Sequence, residues 1–166
     1  MVSGDRADLL AVAKSETDPA LRRHAVNQLG VSGGVDELMQ LYAAESDAGV
    51  KRAVIDGLFV SGHSERLMDL AKAERDSGLR AHAIQQLGLM GRERTGDYLV
   101  SIYAKDSDAA VRRSAINGLF IQGNARALVE LAKKETDPAR KREIVQKLSI
   151  MNSKEGNDYL MDLLNK

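Results

Sequence analysis

The chain has 166 residues, enough for one domain with a core of its own. Its 24 basic and 24 acidic residues cancel, which argues against a dedicated nucleic-acid or membrane-surface protein. With no Cys, a disulfide framework, a thiolate nucleophile and a Cys-based zinc site are all excluded.

In chain order, the first helical pattern is Leu9, Leu10, Val12 and Ala13. Asp18 and Pro19 open a second, with apolar Leu21, Ala25, Val26 and Leu29, and Gly33 closes it. The pair then begins again. Leu38, Met39, Leu41 and Tyr42 lead to Asp47, then Val50, Val54, Ile55 and Leu58, then Gly62. Leu67, Met68, Leu70 and Ala71 lead to Asp76 and close at Gly91. Leu99, Val100, Ile102 and Tyr103 lead to Asp108 and close at Gly123. Leu128, Val129, Leu131 and Ala132 lead to Asp137 and Pro138, and Asn152 stands where Gly stood before. A last helix, with Leu160, Met161, Leu163 and Leu164, has no partner. The marker aspartates lie 29, 29, 32 and 29 residues apart. This is one repeated unit of two helices, a first (A) and a second (B). Each Asp is expected to cap its B helix, and each Gly to end it in a left-handed turn.

A two-unit period overlies the first. Segments 52–76 and 113–137 agree at 12 of 25 positions. Gly30, Gly88 and Ser149 stand where even copies have Phe59 and Phe120, and Ala13, Ala71 and Ala132 stand where they have Tyr42 and Tyr103. Large residues of one copy are expected to fill space beside small ones of the next.

The B-helix segments DPALRRHAVNQL, DAGVKRAVIDGL, DSGLRAHAIQQL and DAAVRRSAINGL carry a resemblance to HEAT-like repeats. The resemblance covers residues 5–166 and implies an all-α, right-handed solenoid of about eleven helices. Five full repeats are expected at roughly 5–33, 34–62, 63–91, 92–123 and 124–152, with a half repeat at 153–166 in the same single domain. The fifth copy departs, with Arg140 in an apolar slot and Glu143 where a small residue is usual. Residues 2–18 match 60–76 at 8 of 17 positions, so VSG at the start reads as the tail of a B helix. That reading makes the chain a piece of a longer array, which could also pair with itself through its N-terminal face.

Rotation by 100° per residue sorts the B helix into faces. Counting from the Asp, offsets three, seven, eight and eleven are core. Offset four holds Arg22, Lys51, Arg80, Arg112 and Lys141, which falls on the packed side. The expectation is a half-buried ladder of these cations with the marker aspartates. Opposite the core lie offsets two, five, six and nine. Offset two is small throughout. The others hold Arg23, His24, Asn27, Arg52, Asp56, His82, Gln85, Arg113 and Asn117. In such solenoids the B helices line the concave side, so these nine form the expected partner-binding face.

Catalysis finds no support. His24 and His82 stand two units apart, roughly 20 Å at ~10 Å per helix layer, too far to share a metal. GVSGG at 30–34 ends a helix and does not follow a strand, so it is no phosphate loop. No cofactor or metal is expected. The reading is a non-catalytic scaffold for a protein or peptide, acidic in character, with neither a membrane nor a nucleic acid as partner. HEAT-like DNA glycosylases and bilin lyases share the fold and are the alternatives. The first needs a cationic channel and stacking aromatics, and Trp is absent here. The second needs a chromophore site that no residue signature marks. The compartment stays open, with a cytoplasmic setting as the default.

Overall fold

The computed structural model describes residues 2–165, and the side chains of residues 5–165. Among the described residues there are eleven helices and no strand. The chain divides into two compact units, Met1–Leu87 and Gly88–Lys166. The first holds α1 (Val2–Ser15), α2 (Pro19–Val31), α3 (Val35–Ala44), α4 (Ala48–Val60), α5 (Ser64–Ala73) and nearly all of α6 (Ser77–Leu89). The second holds α7 (Arg92–Lys105), α8 (Ala109–Ile121), α9 (Ala125–Lys134), α10 (Pro138–Met151) and α11 (Lys154–Leu164). The odd helices are A and the even ones B. The architecture is an all-α, HEAT-like solenoid.

Why the chain breaks where it does is visible in the caps. The Asp18 carboxylate accepts from the Ala20 amide at 2.8 Å, and Asp47, Asp76 and Asp137 accept from Val50, Leu79 and Arg140 at 2.8–2.9 Å. Asp108 accepts from both Ala110 and Val111. At the other end Gly33, Gly62 and Gly123 take φ of 72°, 76° and 64°, and Asn152 takes 49°. There the chain reverses, and the amide two residues past the C-cap reaches back, as Gly34 does to the Leu29 carbonyl at 2.8 Å. Gly91 departs from expectation. It is extended, with φ −60° and ψ 140°, and serves as the N-cap of α7. The wider spacing of this copy goes into α7, which has 14 residues where α3, α5 and α9 have 10.

Offsets seven and eleven are buried in every copy, from Ala25 and Leu29 to Ile144 and Leu148. Offset three is buried at Val50, Leu79 and Val111, yet Leu21 is exposed and Arg140 is too. α10 buries little beyond Ile144 and Leu148, the looseness its two polar intrusions foretell. In the first unit α2 packs on α4, with α1 and α3 against the pair. The crossing is close because two glycines meet there. A Cβ built on Gly30 would lie 2.6 Å from the Gly57 Cα. In the second unit α7 packs on α8, and α10 on α8, α9 and α11.

Candidate functional site

The turn between each A and B helix is built by an acidic residue two places before the marker. Glu16, Glu45, Glu74, Asp106 and Glu135 each accept a hydrogen bond from the backbone amide of the Asp that follows, at 2.8–3.0 Å. The carboxylate therefore folds the chain back over its own turn, and the Asp is left free to cap the B helix. The sequence carries this signal in all five copies, as ETD, ESD, ERD, DSD and ETD, and the capping argument passes over it.

At Arg22 and Lys51 the cations of offset four face these carboxylates. Arg22 Nε donates to Glu45 at 3.1 Å, and Lys51 Nζ lies 3.6 Å from Glu74. At these two positions the expected ladder thus stands with a different acid. The arginines have a second duty. Arg22 Nη1 donates to the carbonyls of Glu16 and Thr17, Arg80 Nη1 to Glu74 and Arg75, and Arg112 Nη1 to Asp106 and Ser107. In each arginine the two N–H of one Nη1 bridge two adjacent carbonyls.

The tyrosines of the even copies join the same network. The Tyr42 hydroxyl donates to Glu74, and Tyr103 donates to Glu135 at 2.6 Å. Burial and the accepting carboxylate push both phenols well above their ordinary pKa of 10. Burial alone would raise Glu74 and Glu135. The tyrosine hydroxyls, the turn amides and the nearby cations outweigh it and hold both below the usual 4.5. Glu16 is lowered by the amides of Asp18 and Thr17, and Asp137 by the amide of Arg140.

The nine face residues divide. In the first unit Arg23, His24, Asn27, Arg52 and Gln85 are exposed, and Asp56 is half-buried. His82 is buried, a correction to its place on the open arc. Its Nδ1 lies 3.1 Å from Arg52 Nη2 and its Nε2 2.7 Å from Asp56, which also accepts from Gln86 at 2.8 Å. Since Arg52 can only donate, Nδ1 accepts and Nε2–H donates to Asp56. Ala53, at the same offset, is buried as well. A rotation diagram treats one helix alone, and here the neighbouring B helix covers this edge. Arg23 lies over Gly49, its Nη1 within 3.3 Å of where a Cβ would stand.

In the second unit Arg113 is exposed and Asn117 half-buried. Arg113 Nε reaches Glu143 on α10 at 3.2 Å. Between the N-terminal halves of α8 and α10 opens a pocket of about 340 Å³, lined by Tyr103, Arg112, Arg113, Ile116, Arg140 and Glu143 among others. Three guanidinium groups share one opening with one carboxylate. Arg140 is loosely held, 3.9 Å from Glu135. Arg140 and Glu143 read in the sequence only as departures from pattern, so their part in this pocket was not foreseen. A second opening, of about 550 Å³, lies in the first unit beside Met39, Tyr42, Leu70 and Glu74, where Lys51 Nζ sits 4.8 Å from the Tyr42 ring centre.

No helix among the described residues is long and apolar enough to cross a membrane. A comparison with the curated proteins finds no match to the chain. A family model described as HEAT repeats matches residues 35–120 and 64–149. HEAT repeats generally mediate protein–protein interaction, and the family is typically a non-catalytic scaffold. The matched residues span most of the repeats, and the caps, turns and buried offsets follow the same unit. The chain belongs to the HEAT-repeat family.

Proposed function

We propose that the chain is a non-catalytic scaffold that binds an acidic segment of a partner protein on the exposed face of its B helices. This is the side such a solenoid is expected to turn inward. The observation that carries the reading is the α8/α10 pocket, where Arg112, Arg113 and Arg140 line one opening with Glu143, and Glu135 stands 3.9 Å from Arg140. Guanidinium groups clustered in this way favour carboxylates, which they can grip with two parallel hydrogen bonds. Arg23 and Arg52, with Asn27 and Gln85, offer the same chemistry on the first unit. Asp56 and His82 support that face from behind by holding Arg52 in place.

The test is affinity capture by the full chain beside two charge-reversed forms, Arg113→Glu with Arg140→Glu, and Arg23→Glu with Arg52→Glu. The proposal expects a defined set of captured proteins, acidic at the crosslinked segment, lost from at least one reversed form. An identical set from all three forms, each folded by circular dichroism, would sink it.

A further inference from the structure

Every B helix carries an exposed aliphatic residue at its last or last-but-one position. Val31, Val60, Leu89, Ile121 and Ile150 are 73, 62, 50, 56 and 71% exposed. Each stands thirteen residues after its marker Asp, in all five copies. One exposed aliphatic residue is ordinary on a protein surface. A β-branched or leucine side chain at one register position in every repeat is a pattern, and the core does not require it.

In the second unit this pattern meets the arginine pocket. α8 and α10 pack against each other, with the pocket between their first turns. On α10 the pocket residues Ala139 and Glu143 share a helical stripe with Ile150, since offsets two, six and thirteen fall within 40° at 100° per residue. Along the way lies Phe120, half-buried, with Lys147 Nζ 5.2 Å from its ring centre. Ile121 follows Arg113 by eight residues, about 12 Å of helix. The α8/α10 surface is thus cationic at one end and aliphatic at the other, two helical turns apart. Its cations Arg112, Arg113, Arg140 and Lys147 outnumber Glu143 in the pocket and Glu135, 3.9 Å from Arg140. A second copy seated here by a two-fold axis would bring the same cations together, which disfavours it.

We infer that the α8/α10 groove seats an acidic amphipathic helix of a partner protein. One of its carboxylates enters the pocket among Arg112, Arg113 and Arg140. Aliphatic side chains seven or eight residues away cover Ile121 and Ile150. This rests on the scaffold reading above and specifies its partner. Helix-in-groove binding of this kind draws affinity from the apolar contacts, and charge sets the orientation.

The experiment pans a display library of random 16-residue peptides on the full chain. Recovered peptides are then titrated by fluorescence anisotropy against three double variants: Ile121→Asp with Ile150→Asp, Ile121→Ser with Ile150→Ser, and Arg113→Glu with Arg140→Glu. The inference expects peptides with Asp or Glu seven or eight positions from Leu, Ile or Val. It expects at least tenfold weaker binding to the aspartate and charge-reversed pairs, and an intermediate loss for the serine pair, which guards against misfolding. Acidic peptides that lack aliphatic residues, or that ignore the isoleucine changes, overturn this inference and leave the scaffold reading standing. Peptides insensitive to the arginine reversals overturn both. No enrichment, or sedimentation showing a dimer that the isoleucine changes dissolve, also overturns the groove assignment.

Discussion

Gly30→Ala sets two opposed effects against each other at one position. In the last turn of α2 an alanine is favoured over glycine by at most about 1 kcal/mol, the helix-interior value, from backbone entropy alone. Yet its Cβ would stand 2.6 Å from the Gly57 Cα and 3.2 Å from the Gly57 carbonyl oxygen. The obstacle is backbone, so no rotamer change relieves it, and α2 must move away from α4. Leu38 already lies within 3.1 Å of the Cβ position on the far side of Gly57, so α4 has no room to yield. Overpacking of a filled core costs about 1–3 kcal/mol, and a clash with backbone belongs at the upper end. The net expectation is a loss of about 1–2 kcal/mol, from the difference of the two effects. Gly78→Ala is the matched control. Its nearest neighbour is the side-chain oxygen of Asp76 at 3.2 Å, and Ala20, Ala110 and Ala139 already occupy the same offset in other copies. It should stabilise by up to ~1 kcal/mol. Urea unfolding followed by circular dichroism reads both. If Gly30→Ala raises the midpoint as Gly78→Ala does, the close helix crossing does not govern this interface.

Glu16, Glu74, Glu135 and Asp137 are held below their ordinary carboxylate values, so the folded chain binds fewer protons than the unfolded one in acid. Their contribution is present above pH ~5 and is lost as pH falls through the lowered values; urea midpoints from pH 6 to 3 should decline, and Glu74→Gln with Glu135→Gln should flatten that slope. Tyr42 and Tyr103 are shifted the other way, above 10, so stability should hold below pH 10 and fall above it, less steeply in Tyr42→Phe with Tyr103→Phe. Tyr103→Phe alone removes the donor to Glu135 and should cost about 1.5–3 kcal/mol at neutral pH, the range for hydrogen bonds to charged groups. Asn152→Ala puts a less tolerant side chain at φ 49° and should lower the unfolding midpoint by about 1 kcal/mol equivalent, with Asn152→Gly unchanged or higher.

The repeat was legible because its punctuation is chemical. Asp before the B helix and Gly after it have few other uses at that spacing, and Asn152 keeps the left-handed turn by the substitution that physics allows. Gly91 was misread because a glycine at the right offset does not reveal that the wider spacing of this copy had lengthened the next helix. The half-buried cations were placed correctly, and at Arg22 and Lys51 the partner is a glutamate and not the marker aspartate. Length and burial can be inferred from one helix, but which of two acids meets a cation depends on how the neighbouring repeat sits against it. The same limit explains His82. Its offset faces away from its own helix's core, and only a neighbouring helix carrying Arg52 and Asp56 encloses it. The exposed aliphatic row was present in the sequence throughout, at offset thirteen. It lies on the arc opposite the core, with offsets two and six, and escapes a reading that looks there only for polar side chains.

Hydrogen exchange of the full chain, with and without a recovered acidic helical peptide, addresses the binding surface most directly. The account predicts new protection in residues 109–121 and 138–151, with residues 92–105 and 125–134 unchanged. Protection confined to those A helices, with α8 and α10 exchanging as before, would contradict it.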